Sequence, residues 1–140
     1  MIIGYTSGVF DLFHIGHVNI LKNARALCDR LVVGVSIDEL VSYKSKRAVI
    51  PYSERIEVVR ACRYVDVAIP QKKLNKVEVI KQIKANRLFV GSDWYENENW
   101  KKLESELAEI DCGVIYFPYT DGTSSTLINE TLNYLRKEDN

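Results

Sequence analysis

Apolar and polar positions change period several times along the chain. Met1 to Tyr5 is a short apolar run that predicts a first strand. Ile20, Leu21, Ala24, Leu27 and Cys28 then recur at helical spacing, predicting a helix that begins near His17 and ends near Cys28-Asp29. Leu31 to Ile37, compact and rich in valine, reads as a buried second strand. Asp38 is placed to cap a short helical turn through Leu40, and the polar, basic segment Ser42 to Arg47 reads as a loop. Pro51 suits the first turn of a helix whose stripe is Ile56, Val59 and Cys62. Tyr64 to Ile69, closed by Pro70, predicts a third strand. Val77, Ile80 and Ile83 mark a short helix, and Leu88 to Val90 a fourth strand. Asn97 or Asn99 is placed to cap a helix carrying Trp100, Leu103, Leu107 and Ala108. Gly113 to Phe117 predicts a fifth strand, and Leu127, Ile128, Leu132 and Leu135 a last helix.

Strands alternating with helices predict an α/β fold: a Rossmann-like parallel five-stranded sheet with right-handed crossovers and helices on both faces. With no internal repeat, low-complexity tract or linker, residues 1–136 read as one domain and 137–140 as a frayed tail. Charge narrows the function. The 19 basic and 19 acidic side chains balance, so nothing suggests a nucleic-acid or membrane surface, and an anion site has to come from local clustering. Cys28, Cys62 and Cys112 are far apart with no CxxC spacing, which predicts buried thiols rather than disulfides or zinc. No signal peptide and no membrane-spanning run is visible, so a cytoplasmic protein is expected. The GxGxxG and GxxxxGK[ST] fingerprints are absent.

The candidate chemistry sits in loops that follow strands, which a parallel sheet gathers at one edge. The first is Gly8-Val9-Phe10-Asp11-Leu12-Phe13-His14-Ile15-Gly16-His17. Two imidazoles flank Gly16 at a helix start, where unpaired N–H groups and a positive dipole end suit a phosphoryl group. The others are the Lys44/Lys46 loop, Gly91 to Trp94, and the hydroxyl-rich turn Tyr119 to Thr126 that opens the last helix. Each has a plainer structural reading. A histidine at a helix start is often a cap, a basic loop is often only solvated, and one Ser or Thr suffices to cap a helix.

These blocks together resemble the cytidylyltransferase family of the HxGH nucleotidylyltransferase superfamily, in particular its glycerol-3-phosphate cytidylyltransferase branch. The family's GTFDLxHxGH is here GVFDLFHIGH, its KxK loop is Lys44 and Lys46, and its Arg before a Tyr-Val-Asp strand is Arg63, with Arg55 upstream. Its GDDW is here Gly91-Ser92-Asp93-Trp94, and its RTxGISTT is Tyr119-Thr120-Asp121-Gly122-Thr123-Ser124-Ser125-Thr126. The resemblance implies transfer of a cytidylyl group from CTP to a small phosphomonoester by direct in-line attack, in teichoic acid or capsule synthesis. It implies that His14 and His17 stabilise charge on the α- and β-phosphates, that Lys46 binds the CTP phosphates, and that Lys44 and Lys76 hold the acceptor. Val9, Phe10, Asp11, Gly16, Arg55, Arg63, Asp93, Trp94, Tyr119, Thr120, Gly122, Ser124, Ser125 and Thr126 would contact the nucleotide. Magnesium (Mg2+) is expected on the triphosphate, with Asp11 as a contributor or merely a brace for its loop, and a homodimer is expected.

Three positions depart from the family pattern. Val9 loses a hydroxyl, Ser92 loses a carboxylate, and Tyr119 loses the permanent charge and bidentate reach of an arginine. They bear on nucleotide and acceptor choice more than on the transfer chemistry. The competing readings are an adenylyltransferase, a cytidylyltransferase for another phosphorylated alcohol, and a nucleotide-binding regulatory module without turnover.

Overall fold

The computed structural model describes residues 1–43, 47–91, 98–118 and 131–135. The order of elements is β1 (Ile3–Gly8), α1 (Ile15–Ala26), β2 (Arg30–Ser36), α2 (Asp38–Tyr43), α3 (Tyr52–Ala61), β3 (Val67–Gln71), α4 (Val77–Ile83), β4 (Arg87–Gly91), α5 (Glu98–Ala108) and β5 (Gly113–Phe117). All the strand pairings are parallel, and the strand order is β3-β2-β1-β4-β5.

Alternation along the strands divides the core in two. Leu31, Val33 and Val35 of β2 pack with Leu21 and Ala24 of α1 and Ile56 and Val59 of α3. Val32, from the opposite face of the same strand, packs with Ile80 of α4 and with Trp100 and Leu107 of α5. A strand buried on both faces is why β2 reads as an unbroken apolar run. The expected architecture, a Rossmann-like parallel sheet covered on both faces, is therefore present.

Local boundaries differ where tertiary contacts override the pattern. β3 starts at Val67 rather than Tyr64, because Val65 N closes a turn on Cys62 O and Asp66 accepts from Leu31 N at 2.7 Å. Pro70 lies inside β3 rather than after it, and as β3 is an edge strand the missing donor is tolerated. Ser42 belongs to α2, which continues beyond Leu40, and not to a loop. Asn99 lies within α5, so it is not the cap, and Asn97 falls outside the described residues.

The chain winds outward from β1 through β2 to β3, then returns to place β4 against the other side of β1. At this reversal β1 and β4 pair only through Gly4↔Arg87 and Tyr5↔Leu88. Beyond that the strands part, and Thr6 Oγ1 donates to Phe89 O at 3.0 Å. The parted carboxyl ends open a cavity of about 270 Å3 at the point where open α/β sheets place their ligands.

Candidate active site

The turn between β1 and α1 forms one wall of this cavity. Phe10 and Leu12 both take left-handed backbone angles, with φ of 55° and 50°. Such conformations cost residues other than glycine about 1–3 kcal/mol each and persist only where the surroundings impose them. Three sets of contacts do so. Phe10 is buried in the core beside α1. Asp11 accepts from Val49 N at 2.8 Å and Ile50 N at 2.9 Å. Arg55, 1% exposed, donates to Val9 O at 2.7 Å, Ser36 O at 2.8 Å, Ile50 O at 2.8 Å and Asp38 Oδ1 at 2.7 Å. One buried guanidinium thus joins the β1–α1 turn, the end of β2, the segment before α3, and α2.

The two imidazoles end this turn by capping α1 and each other. His14 is the extended N-cap residue, and its Nδ1 accepts from Gly16 N at 3.0 Å. His17 Nδ1 accepts in return from His14 N at 3.2 Å. The arrangement is a reciprocal capping box built from two histidines. An accepting Nδ1 carries no proton, so each neutral ring bears its proton on Nε2. The ring centroids are 4.0 Å apart, and His17 also lies against Phe13 at 5.3 Å and Phe10 at 5.4 Å. Burial pushes His17 down to about 4, with the neighbouring His14 adding to the effect and Asp11 opposing it. Burial also lowers His14. At neutral pH the pair therefore offers two N–H donors without positive charge.

Of the residues singled out from the sequence, Val9, Phe10, His17 and Lys76 line the same cavity, and His14 lies against His17. Lys76 Nζ sits 5.4 Å from the centroid of the Trp100 ring. Several expectations change. Arg55, expected at the nucleotide, braces the fold: its side chain is buried and four of its N–H groups are engaged by the protein. Asp11 clamps the amides of residues 49 and 50, the bracing role, and does not fit a magnesium ligand. Among the described residues no group of three or more His, Cys, Asp or Glu is placed to hold a metal. The Gly16 amide is taken by His14, so the helix start presents imidazole N–H groups where unpaired amides were expected. Arg63 is exposed, donates to Tyr64 Oη at 3.0 Å, and precedes β3, which puts it at the opposite edge of the sheet from the cavity.

Lys44, Lys46, Asp93, Trp94, Tyr119, Thr120, Gly122, Ser124, Ser125 and Thr126 lie outside the described residues. The strands preceding the Gly91–Trp94 and Tyr119–Thr126 segments do end side by side, with Gly91 opposite Phe117. Two features escaped the sequence reading. Asp38, the first residue of α2, reaches across to hold Tyr52 N at 3.2 Å and Arg55. Tyr5, inside β1, donates its hydroxyl to Gln71 at the end of β3, passing over Gly34. The signal was Gly34 itself: a lone glycine in a valine-rich strand marks a close approach.

The chain is similar to known proteins. Residues 5–131 match the model of the family described as cytidylyltransferase-like. The chain is 36% identical over 128 residues to glycerol-3-phosphate cytidylyltransferase of Bacillus subtilis strain 168, covering 91% of this chain and 94% of that one. It is 40% identical over 116 residues to FAD synthase of Thermococcus kodakarensis, covering 80% and 76%. Among solved structures it is similar to the lipopolysaccharide core biosynthesis protein from Thermoplasma volcanium, with a TM-score of 0.73, 25% identity, and coverage of 88% and 99%. No helix among the described residues is long and apolar enough to cross a membrane. With the double imidazole cap at the switch point of a five-stranded parallel sheet, these similarities show that the chain belongs to the cytidylyltransferase-like family and is a nucleotidyltransferase.

Proposed function

We propose that the protein transfers a cytidylyl group from CTP to a small phosphomonoester, glycerol-3-phosphate or a related polyol phosphate, releasing pyrophosphate and a CDP-alcohol. The observation that carries this reading is the neutral, mutually capped His14–His17 pair at a cavity that Lys76 also lines. An acceptor phosphate oxygen attacks the α-phosphorus in line. The new O–P bond forms as the bond to the β-phosphate breaks, and the electron pair leaves with pyrophosphate. No covalent intermediate on the protein is needed, so positioning and charge stabilisation dominate.

Two donors fixed before the reaction suit this step. A neutral N–H in a partly desolvated site gains most where charge develops, so it favours the transition state over the bound triphosphate. Lys76 supplies positive charge on the acceptor side. In this reading Lys46 binds the CTP phosphates, Lys44 the acceptor, Thr120 and Ser124 to Thr126 the triphosphate, and Asp93 and Trp94 the base. Magnesium belongs to the triphosphate, since Asp11 is committed to two amides. The active species is a homodimer, which sedimentation of the purified protein tests.

The deciding experiment is pyrophosphate release with each of the four nucleoside triphosphates, magnesium, and a panel of polyol and sugar phosphates. CTP with a small polyol phosphate should give the highest kcat/KM. ATP as the preferred donor would support adenylyl transfer instead, the second reading, which rests on the likeness to a FAD synthase.

A further inference from the structure

The β3–α4 turn, residues 72–76, carries Lys73, Leu74 and Lys76 into the same cavity. Its lysines and Leu74 project from a largely exposed segment. Gln71, the last residue of β3, is 5% exposed and anchors it. Its Nε2 donates to Lys73 O, inside the turn, while its Oε1 accepts from the Tyr5 hydroxyl. Tyr5 is wholly buried in β1, two strands away. Its phenol reaches Gln71 only because β2 carries Gly34 between them. A Cβ at Gly34 would lie 2.9 Å from both the phenol Cζ and Gln71 Oε1, and closer still to the phenol oxygen. Three strands thus contribute one residue each to a single buried chain that ends in the turn.

We propose that Tyr5 and Gln71, with Gly34 as the gap that lets them meet, are positioning residues for the acceptor end of the cavity. They fix the turn bearing Lys73 and Lys76, and so set how well a phosphomonoester acceptor is held relative to the nucleotide. The inference rests on the reading above that Lys76 faces the acceptor. The chemistry of the chain suits a rigid strut. Burial raises the Tyr5 hydroxyl well above its ordinary range, so it stays a donor throughout the working pH range. That donor locks the orientation of the Gln71 amide, and the locked amide leaves Nε2 only the Lys73 carbonyl side. The opposite wall of the cavity, with His17, takes no part in this chain, and that separates acceptor positioning from charge stabilisation.

Steady-state kinetics of Tyr5→Phe and Gln71→Met tests this, with hydrogen exchange at residues 72–76 as a second readout. Both variants keep their shape and lose polar contacts. The expected result is a rise in acceptor KM of roughly five- to tenfold, the scale of one lost buried hydrogen bond. The KM for the nucleotide should stay within about twofold, and the amides of the turn should exchange faster. The double variant should be no worse than Gln71→Met, because the tyrosine acts through the glutamine. Equal shifts in both KM values, or loss of thermal stability with both KM values unchanged, would overturn the inference. So would unchanged exchange at 72–76. A wild-type protein that turns over CTP with no phosphomonoester at all would instead overturn the acceptor reading on which it rests, and the two failures are told apart by the wild-type panel alone.

Discussion

Two turns line the same cavity from the same edge of the sheet, and they are built differently. The β1–α1 turn contains two left-handed residues and is held by a buried guanidinium, a carboxylate clamp and the imidazole cap. The β3–α4 turn is exposed from Lys72 to Asn75 and is held by the neutral Tyr5–Gln71 chain, an Asn75–Val77 N contact at 2.9 Å and a Lys73–Glu78 pair at 3.2 Å. In our reading the first turn presents the groups that meet developing charge, where a displacement of about 1 Å is costly in rate. The second faces the acceptor in our reading, and one buried strut rather than a charged clamp holds it.

The comparison is broken most severely at Arg55. Arg55→Met removes donors from three carbonyls and from Asp38, and should destabilise the protein by about 3–5 kcal/mol in denaturant unfolding. Activity should fall further than the unfolded fraction explains, because the Val9–Leu12 backbone relaxes. A destabilisation below about 1 kcal/mol would show that the turn is held by other means. His14→Ala and His17→Ala come next: each should lower kcat roughly a hundredfold or more while the protein stays folded, as seen by circular dichroism. Near-wild-type turnover in either would remove the charge-stabilising role. Gly34→Ala should then cost about 1–3 kcal/mol by overpacking the Tyr5 phenol, with calorimetry as the check.

Acid sharpens the contrast without mutation. His17 ionises at about 4 in the folded protein against an ordinary 6.5, so the unfolded chain binds more protons between those values. The stability it contributes is complete above pH 6.5, declines as pH falls towards 4, and is gone below that. Melting temperature should therefore drop through this window, and drop less in His17→Asn, whose amide oxygen still caps His14 N. An equal decline in both proteins would place the titration elsewhere. The smallest effect belongs to the other turn: Glu78→Gln opens an exposed ion pair and should change stability by less than about 1 kcal/mol. A larger change would mean that the β3–α4 turn is held more tightly than its exposure indicates.

The periodic pattern determined the order of strands and helices, because each strand and helix buries a face set by its own residues. The valine run of β2, apolar on both sides, announced a covered parallel sheet, and the imidazoles around Gly16 marked the start of α1, which they cap. Tertiary structure decided which charged residues are committed to bracing the fold and which stay exposed. Arg55 and Arg63 look alike in sequence, eight residues apart. Yet α3 carries the chain from the cavity edge to the far edge between them, burying one guanidinium under the β1–α1 turn and leaving the other exposed beyond its reach. Asp11 likewise became a backbone clamp only because folding brought the amides of Val49 and Ile50 to it. Contacts across 38 to 66 residues of chain, such as Asp11 with Val49 and Tyr5 with Gln71, leave no local period to read. Gly34 was the trace of the Tyr5–Gln71 contact in the sequence, because a close approach has to be left room by the residue it passes.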